Sequence, residues 1–255
     1  AVGVGQDERR SLAVGDAGDA LDFQGQLEAY GAISGRRKLP WRYRWPDAVR
    51  ADVLARLLAL HAEAALWFHH NLLKSADGAT ARDYLKSRGL TSEIAKSWKL
   101  GYAPESWDAL LNHLRDRKFS REEIEQSGLA SSKDDRPGGQ LYSRFRNRVM
   151  FPIHNDYGEV VAFSGRTLEA DPKAAKYVNS PETPLFTKGR VLYGLDKTKR
   201  DLIEKNAAIV CEGQIDLISA FEAGVRHVIA PQGTAFTTDQ ARLLKRYVET
   251  VLLCF

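Results

Sequence analysis

The sequence predicts an α/β protein in two parts, an α+β part over residues 47–205 and a shorter parallel α/β unit over residues 206–255. Three observations carry this. Ala208-Ile209-Val210-Cys211 is an apolar, partly β-branched run of the kind buried inside a parallel sheet. Two more short apolar runs follow, Val225–Ala230 and Thr250–Phe255, each separated from the one before by a helical pattern. Upstream, helical periodicity from Ala48 to Gln126 gives way to strand patterns between Leu141 and Arg166.

The composition, 44% hydrophobic and 27% charged over 255 residues, is that of a globular protein able to bury a sizeable core. No run approaches the ~20 apolar residues of a membrane span, and no signal-peptide pattern opens the chain, so a cytoplasmic protein without a membrane partner is expected. A net charge of +4 permits nucleic-acid binding without demonstrating it. Cys211 and Cys254 both fall in buried-strand patterns and read as reduced core thiols. Met150 is the sole methionine, so the sequence is expected to be a piece of a longer one.

In chain order, residues 1–46 mix Gly, Arg, Asp and Ala without a period and read as a linker. They contain neither Cys nor His, so they offer no zinc ligands. From Ala48 to Leu73, Val49, Val53, Leu57, Leu60, Ala64, Phe68 and Leu72 follow the helical period and predict a long amphipathic helix. His61, His69 and His70 lie on it. The adjacent pair points to different helix faces, which favours solvated or capping roles over metal ligation. Further helices are expected at Thr80–Arg88, stopped by Gly89, after a Thr91 cap through Trp98, at Trp107–Leu114, and at Ser120–Gln126 behind a Ser120/Glu123 capping box. Their aromatics are read as core, and Ser131–Gln140 as an exposed loop.

Val149–Ile153 and Val160–Phe163 predict strands joined at Asp156-Tyr157-Gly158. Just before them, Arg144, Arg146 and Arg148 alternate. In an extended chain they would form one row, suited to a phosphodiester backbone or a triphosphate, or else would be the solvated charges of an edge strand. Lys176, Lys188 and Arg190 lie in Gly- and Pro-containing loops, where single cations are usually surface charge. Glu212-Gly213 ends the run at Cys211, where open α/β sheets place ligands, and Asp216 begins a helix closed by Gly224. Gly213 is expected to let the backbone turn tightly there. Two neighbouring carboxylates repel unless a cation sits between them, so the turn suits a divalent metal, or is an acidic loop with Asp216 as a helix N-terminal charge. Thr237 and Gln240 form a second capping box for a helix running to about Tyr247.

Glu212-Gly213-x-x-Asp216, then Gln232-Gly233-Thr234 and Leu253-Cys254-Phe255, resembles the first half of a Toprim domain. Arg144–Ile153, Gly165-Arg166, Lys176–Thr183 and Phe186–Gly194 are similar, in the same order, to motifs of the bacterial replicative primase core, and Gly18–Phe23 to the segment closing its zinc-binding domain. The chain is identified as a fragment of a DnaG-type primase. The resemblance implies synthesis of short RNA primers on a single-stranded DNA template during replication, from ribonucleoside triphosphates, by Mg2+- or Mn2+-dependent nucleotidyl transfer, with a replicative helicase as partner in the replisome. It makes Glu212 and Asp216 metal-side catalytic acids. Arg144, Arg146 and Arg148 would lie near the priming site, Lys176, Lys188 and Arg190 would hold nucleotide or template, and Asn179 a sugar or phosphate. An Asp-x-Asp pair is expected beyond Phe255, so this fragment should bind metal poorly and make no primers alone. The zinc-binding domain would be missing or decayed. Other Toprim enzymes, topoisomerases and nucleases, stay open, although Tyr177 and Tyr193 have no motif marking a nucleophile. So does a non-catalytic, nucleic-acid-binding remnant.

Overall fold

A computed structural model describes residues 47–132, 139–169, 175–233 and 236–255. The reading of residues 1–46, the middle of the expected 131–140 loop and Thr234 lie outside them.

The organising helix, α1 (Asp47–Lys74), buries Leu57, Leu60, Ala64, Phe68 and Leu72, as the period predicts. Helices α2 (Ala79–Ser87) and α3 (Ser92–Ser97) follow, the latter capped by Thr91, whose hydroxyl accepts from the Ile94 amide. Strand β1 (Gly101–Ala103) lies against α1 so closely that a Cβ on Gly101 would stand 2.5 Å from Phe68 Cβ. Helices α4 (Ala109–Asp116) and α5 (Arg121–Gln126) cover the far end of α1, and both halves of the Ser120/Glu123 capping box form. Glu123 is buried, and Arg56 reaches it from α1 at 2.6 Å.

The expected 131–140 loop instead opens with strand β2 (Ala130–Ser132), paired antiparallel with β3 (Leu141–Ser143). Strands β4 (Arg148–His154), β5 (Val160–Thr167) and β6 (Tyr177–Asn179) complete an antiparallel sheet with β1, in the order β1-β4-β5-β6. Phe163 on β5 packs its ring on Phe68, Phe145 and His61, joining this sheet to α1.

Helix α6 (Leu195–Lys205), which the sequence patterns did not single out, leads into a parallel sheet. Its strands β7 (Ala207–Cys211), β8 (Val228–Ile229) and β9 (Thr250–Cys254) run in the order β8-β7-β9, joined by α7 (Gln214–Glu222) and α8 (Thr238–Leu244). The Thr237/Gln240 capping box forms, while α8 ends three residues short of Tyr247. The expected strand over Val225–Ala230 shrinks to two residues, although Ala230 exchanges backbone hydrogen bonds with Tyr193 at 2.8 and 3.3 Å. One apolar cluster runs through both sheets, from Trp98, Tyr102, Phe151 and Tyr193 to Val210, Leu217 and Ile229. No described helix is long and apolar enough to cross a membrane.

Candidate active site

The site is built where the C-terminal end of β7 meets the end of β6. Burial of Val210 and Cys211 fixes β7 in the middle of its sheet, so the chain leaves at Glu212 into solvent. Helix α7 begins at once, at Gln214, two residues earlier than the pattern suggests, with Gly213 as N-cap. Gly213 has φ −146° and ψ 174°, extended backbone that any residue adopts, so the tight-turn expectation is not met. Space is what it supplies: a Cβ there would lie 3.4 Å from Asp216 Oδ2. Asp216 thus folds back over the turn that carries Glu212. Both acids are exposed, and among the described residues neither forms an ion pair or a side-chain hydrogen bond.

The described residues contain no group of three His, Cys, Asp or Glu able to hold a metal. Two free carboxylates on one turn nevertheless suit magnesium, which keeps most of its water and commonly takes one or two protein carboxylates with substrate phosphates. Glu212 and Asp216 fit as part of a shared site. Beneath them burial, and then Asp216, push the Cys211 thiol up to about 11, so it is an inert core group.

Strand β6 brings a second set of groups to this turn. Burial first, then Tyr84 and Asp216, raise the Tyr177 phenol, while Arg166 and Arg88 oppose them. The Arg166 guanidinium lies 4.2 Å over the Tyr84 ring, and Arg88 lies 5.4 Å from the same ring. Asn179 donates from Nδ2 to the Gln232 carbonyl at 3.0 Å, fastening β6 to the loop after β8. Lys176 is exposed at the start of β6.

The three alternating arginines do not form an extended row. Asn147 adopts φ +48°, a left-handed residue that breaks the strand before β4 begins, so two-residue alternation does not run from Arg144 to Arg148. Each has its own seat. Arg144 donates to the Asn179 carbonyl at 3.4 Å and to Ser131 Oγ at 3.2 Å. Arg146 stacks 3.8 Å over Trp107 and donates to the Ser143 carbonyl at 2.5 Å, with Tyr142 edge-on to Trp107. Arg148 donates to the carbonyls of Gly165 and Ala175 at 3.1 and 3.0 Å. Burial lowers the Arg144 and Arg148 values, and among the described residues none of the three forms an ion pair. Lys188 and Arg190 lie on a single 3-10 turn, Lys188–Arg190, where Arg190 pairs with Asp239 at 3.1 Å.

Residues 68–199 match the family described as DNA primase catalytic core, N-terminal domain, and residues 209–255 match a Toprim-like family. The chain belongs to the DnaG-type primases. It is 38% identical over 247 residues to the DNA primase of Halalkalibacterium halodurans, covering 94% of this chain and 41% of that protein. Among solved structures it is similar to the RNA polymerase domain of Mycobacterium tuberculosis primase DnaG in complex with double-stranded DNA, with TM-score 0.73 and 37% identity over 79% of this chain and 64% of that one. It is also similar to a DnaG primase catalytic domain bound to ssDNA, with TM-score 0.72 and 35% identity over 80% of this chain and 62% of that one. The chain spans less than half the length of the curated relatives it matches.

For a primase core, the geometry adds side chains that the motif reading did not assign to the site. Trp107 and Tyr142 back Arg146, Tyr177 lies within electrostatic reach of Asp216, and Tyr84, Arg88 and Arg166 group around Tyr177. The signal for some of them was present in the Gly165-Arg166 and Lys176-Tyr177 motifs. Tyr84 lies on a helix whose pattern gives no hint of it.

Proposed function

We propose that this chain provides part of the catalytic core of a primer-synthesising enzyme, which makes short RNA on a single-stranded DNA template by metal-dependent nucleotidyl transfer. The observation that carries this is the meeting of two unlike parts: residues 206–255 present two free acids, and residues 47–205 bring Tyr177 within electrostatic reach of Asp216, with Tyr84, Arg166 and Arg88 grouped around that tyrosine. Magnesium or manganese held by Glu212 and Asp216, with donors from the triphosphate, would lower the charge on the reacting phosphate and the 3′-hydroxyl. Arg166, Arg88 and Lys176 would hold phosphate oxygens beside them. Asn179 would hydrogen-bond a sugar or phosphate, and Lys188 with Arg190 would follow the template farther out. Two carboxylates alone hold magnesium weakly, so the 255-residue chain by itself is proposed to be inactive. The replicative helicase is the proposed partner and the cytoplasmic replisome the location. Residues 1–46 supply no zinc ligand.

The test is ribonucleotide incorporation on single-stranded DNA with magnesium, using the complete reading frame. Short RNA products support the reading. DNA binding without product under any divalent ion would favour a non-catalytic role, and nicking or relaxation of duplex DNA would favour another Toprim enzyme.

Arg146 gives a separate check. Its charge sits over Trp107 without an ion-pair partner among the described residues, the arrangement of a stacking platform that also meets phosphate. Arg146→Ala is expected to weaken single-strand binding and to reduce the slope of log K against log salt by about 0.7, the value for one phosphate contact. An unchanged slope removes Arg146 from the DNA path.

A further inference from the structure

Between the two sheets lies a chain of side-chain amides that the reaction does not use directly. Gln232 is fully buried and Gln214 nearly so, although both are polar, and among the described residues neither side chain bonds to a charged group. Gln214 donates from Nε2 to Gln232 Oε1 at 3.2 Å, and Asn179 donates to the Gln232 backbone carbonyl at 3.0 Å. Gln214 is the first residue of α7 and stands between Glu212 and Asp216 in sequence, whereas Asn179 ends β6 and offers its own carbonyl to Arg144. The loop is shaped for this contact. Gly233 has φ +71°, and a Cβ on it would stand 2.9 Å from Asn179 Nδ2, so a larger residue would press on the amide that makes the bond. Gln232 Nε2 and Asn179 Oδ1 are buried with no partner among the described residues, so the network keeps one unused donor and one unused acceptor. Burying four amide hydrogen-bonding groups is costly unless they fix something, because an apolar pair would fill the same space without desolvation loss.

We propose that Gln232 is a positioning residue that locks the Glu212–Asp216 turn to the end of β6. Its side-chain oxygen holds the start of α7 and its backbone oxygen holds Asn179, so the acidic turn and the Arg144–Asn179 segment move as one body. A template or nucleotide phosphate gripped at Arg144 is then registered against the acids without touching them. This rests on the reading of Glu212 and Asp216 as the metal side of the site.

The test compares the protein of the complete reading frame with its Gln232→Met variant, which keeps length and bulk and removes the amide, and with Gln214→Met/Gln232→Met. Amide hydrogen exchange is expected to rise about tenfold in Gln232→Met both at Gln214–Leu217 and at Tyr177–Ser180, while Val149–Ile153 stays as in the parent, a factor equivalent to about 1.4 kcal/mol. Acceleration at only one of the two segments, or evenly over the protein, overturns the proposal. The double variant is expected to recover the thermal midpoint without recovering joint protection. Recovery of both would reduce Gln232 to packing and also overturn it. Mn2+, read by paramagnetic broadening at Asp216, is expected to bind Gln232→Met several-fold more weakly than the parent. Equal broadening in the parent and in Glu212→Gln would instead overturn the metal reading, leaving the exchange result to decide the lock.

Discussion

Glu212→Gln in the complete enzyme is expected to lower nucleotide incorporation by roughly 10²–10³-fold, the scale of losing one group that stabilises transition-state charge. The substitution is nearly isosteric, and Glu212 is exposed just after β7 with no side-chain hydrogen bond among the described residues, so the fold should not register it. Thermal midpoint and single-strand DNA affinity should stay within about twofold of the parent in equilibrium terms, since phosphate contacts, which the arginines supply, dominate that affinity. Asp216→Asn should follow the same pattern. Its carboxylate also raises Tyr177 and Cys211, so both groups should titrate lower in that variant, an internal check that the side chain occupies the stated place. A Glu212→Gln enzyme with parental incorporation would remove this residue from the metal site.

The second large effect is on stability. His61 is fully buried on α1, stacked against Phe163 with centroids 5.9 Å apart, and its Nδ1 lies 2.8 Å from the Leu57 carbonyl. Burial lowers its pKa to about 4, with the contacts to the Leu57 and Ser127 backbone opposing. The folded value is depressed below the unfolded 6.5, so the unfolded chain binds more protons between those values. Stability held by the neutral ring is therefore complete above pH 6.5 and drains away as pH falls to about 4, by roughly 3 kcal/mol. His61→Phe retains a ring for Phe163 and cannot protonate. The difference between parent and variant stability, followed by denaturant unfolding from pH 7 to pH 4, should show this loss in the parent. Parallel curves would show that His61 is not its source.

His61 also shows what the sequence held and how it was misread. It lies four residues after Leu57 and three before Ala64, on the buried stripe itself, so the period already placed it in the core, yet the solvated or capping reading given to the histidines of this helix left it out. The Glu-Gly-x-x-Asp turn was legible because strand burial and a helix start are local properties, and the capping boxes were legible for the same reason. The arginine row was not. Alternation presumes extended backbone, and nothing in Arg-Phe-Arg-Asn-Arg announces that Asn147 turns left-handed, although Asn is among the residues most tolerant of that region. The Tyr84, Arg166 and Tyr177 group was out of reach because its members come from a helix and two strands, brought together by packing alone.

The outer strand β9 has a practical consequence. Among the described residues it pairs only with β7, on one side, and Val251, Leu252, Leu253 and Phe255 are 38, 54, 60 and 72% exposed. A short apolar strand with an open hydrogen-bonding edge, no proline and no charge between Val251 and Phe255 is a template for intermolecular pairing. Copies of the protein should pair through that edge at high concentration wherever no further strand of the sheet covers it, and Leu252→Lys is the simplest gatekeeper against it.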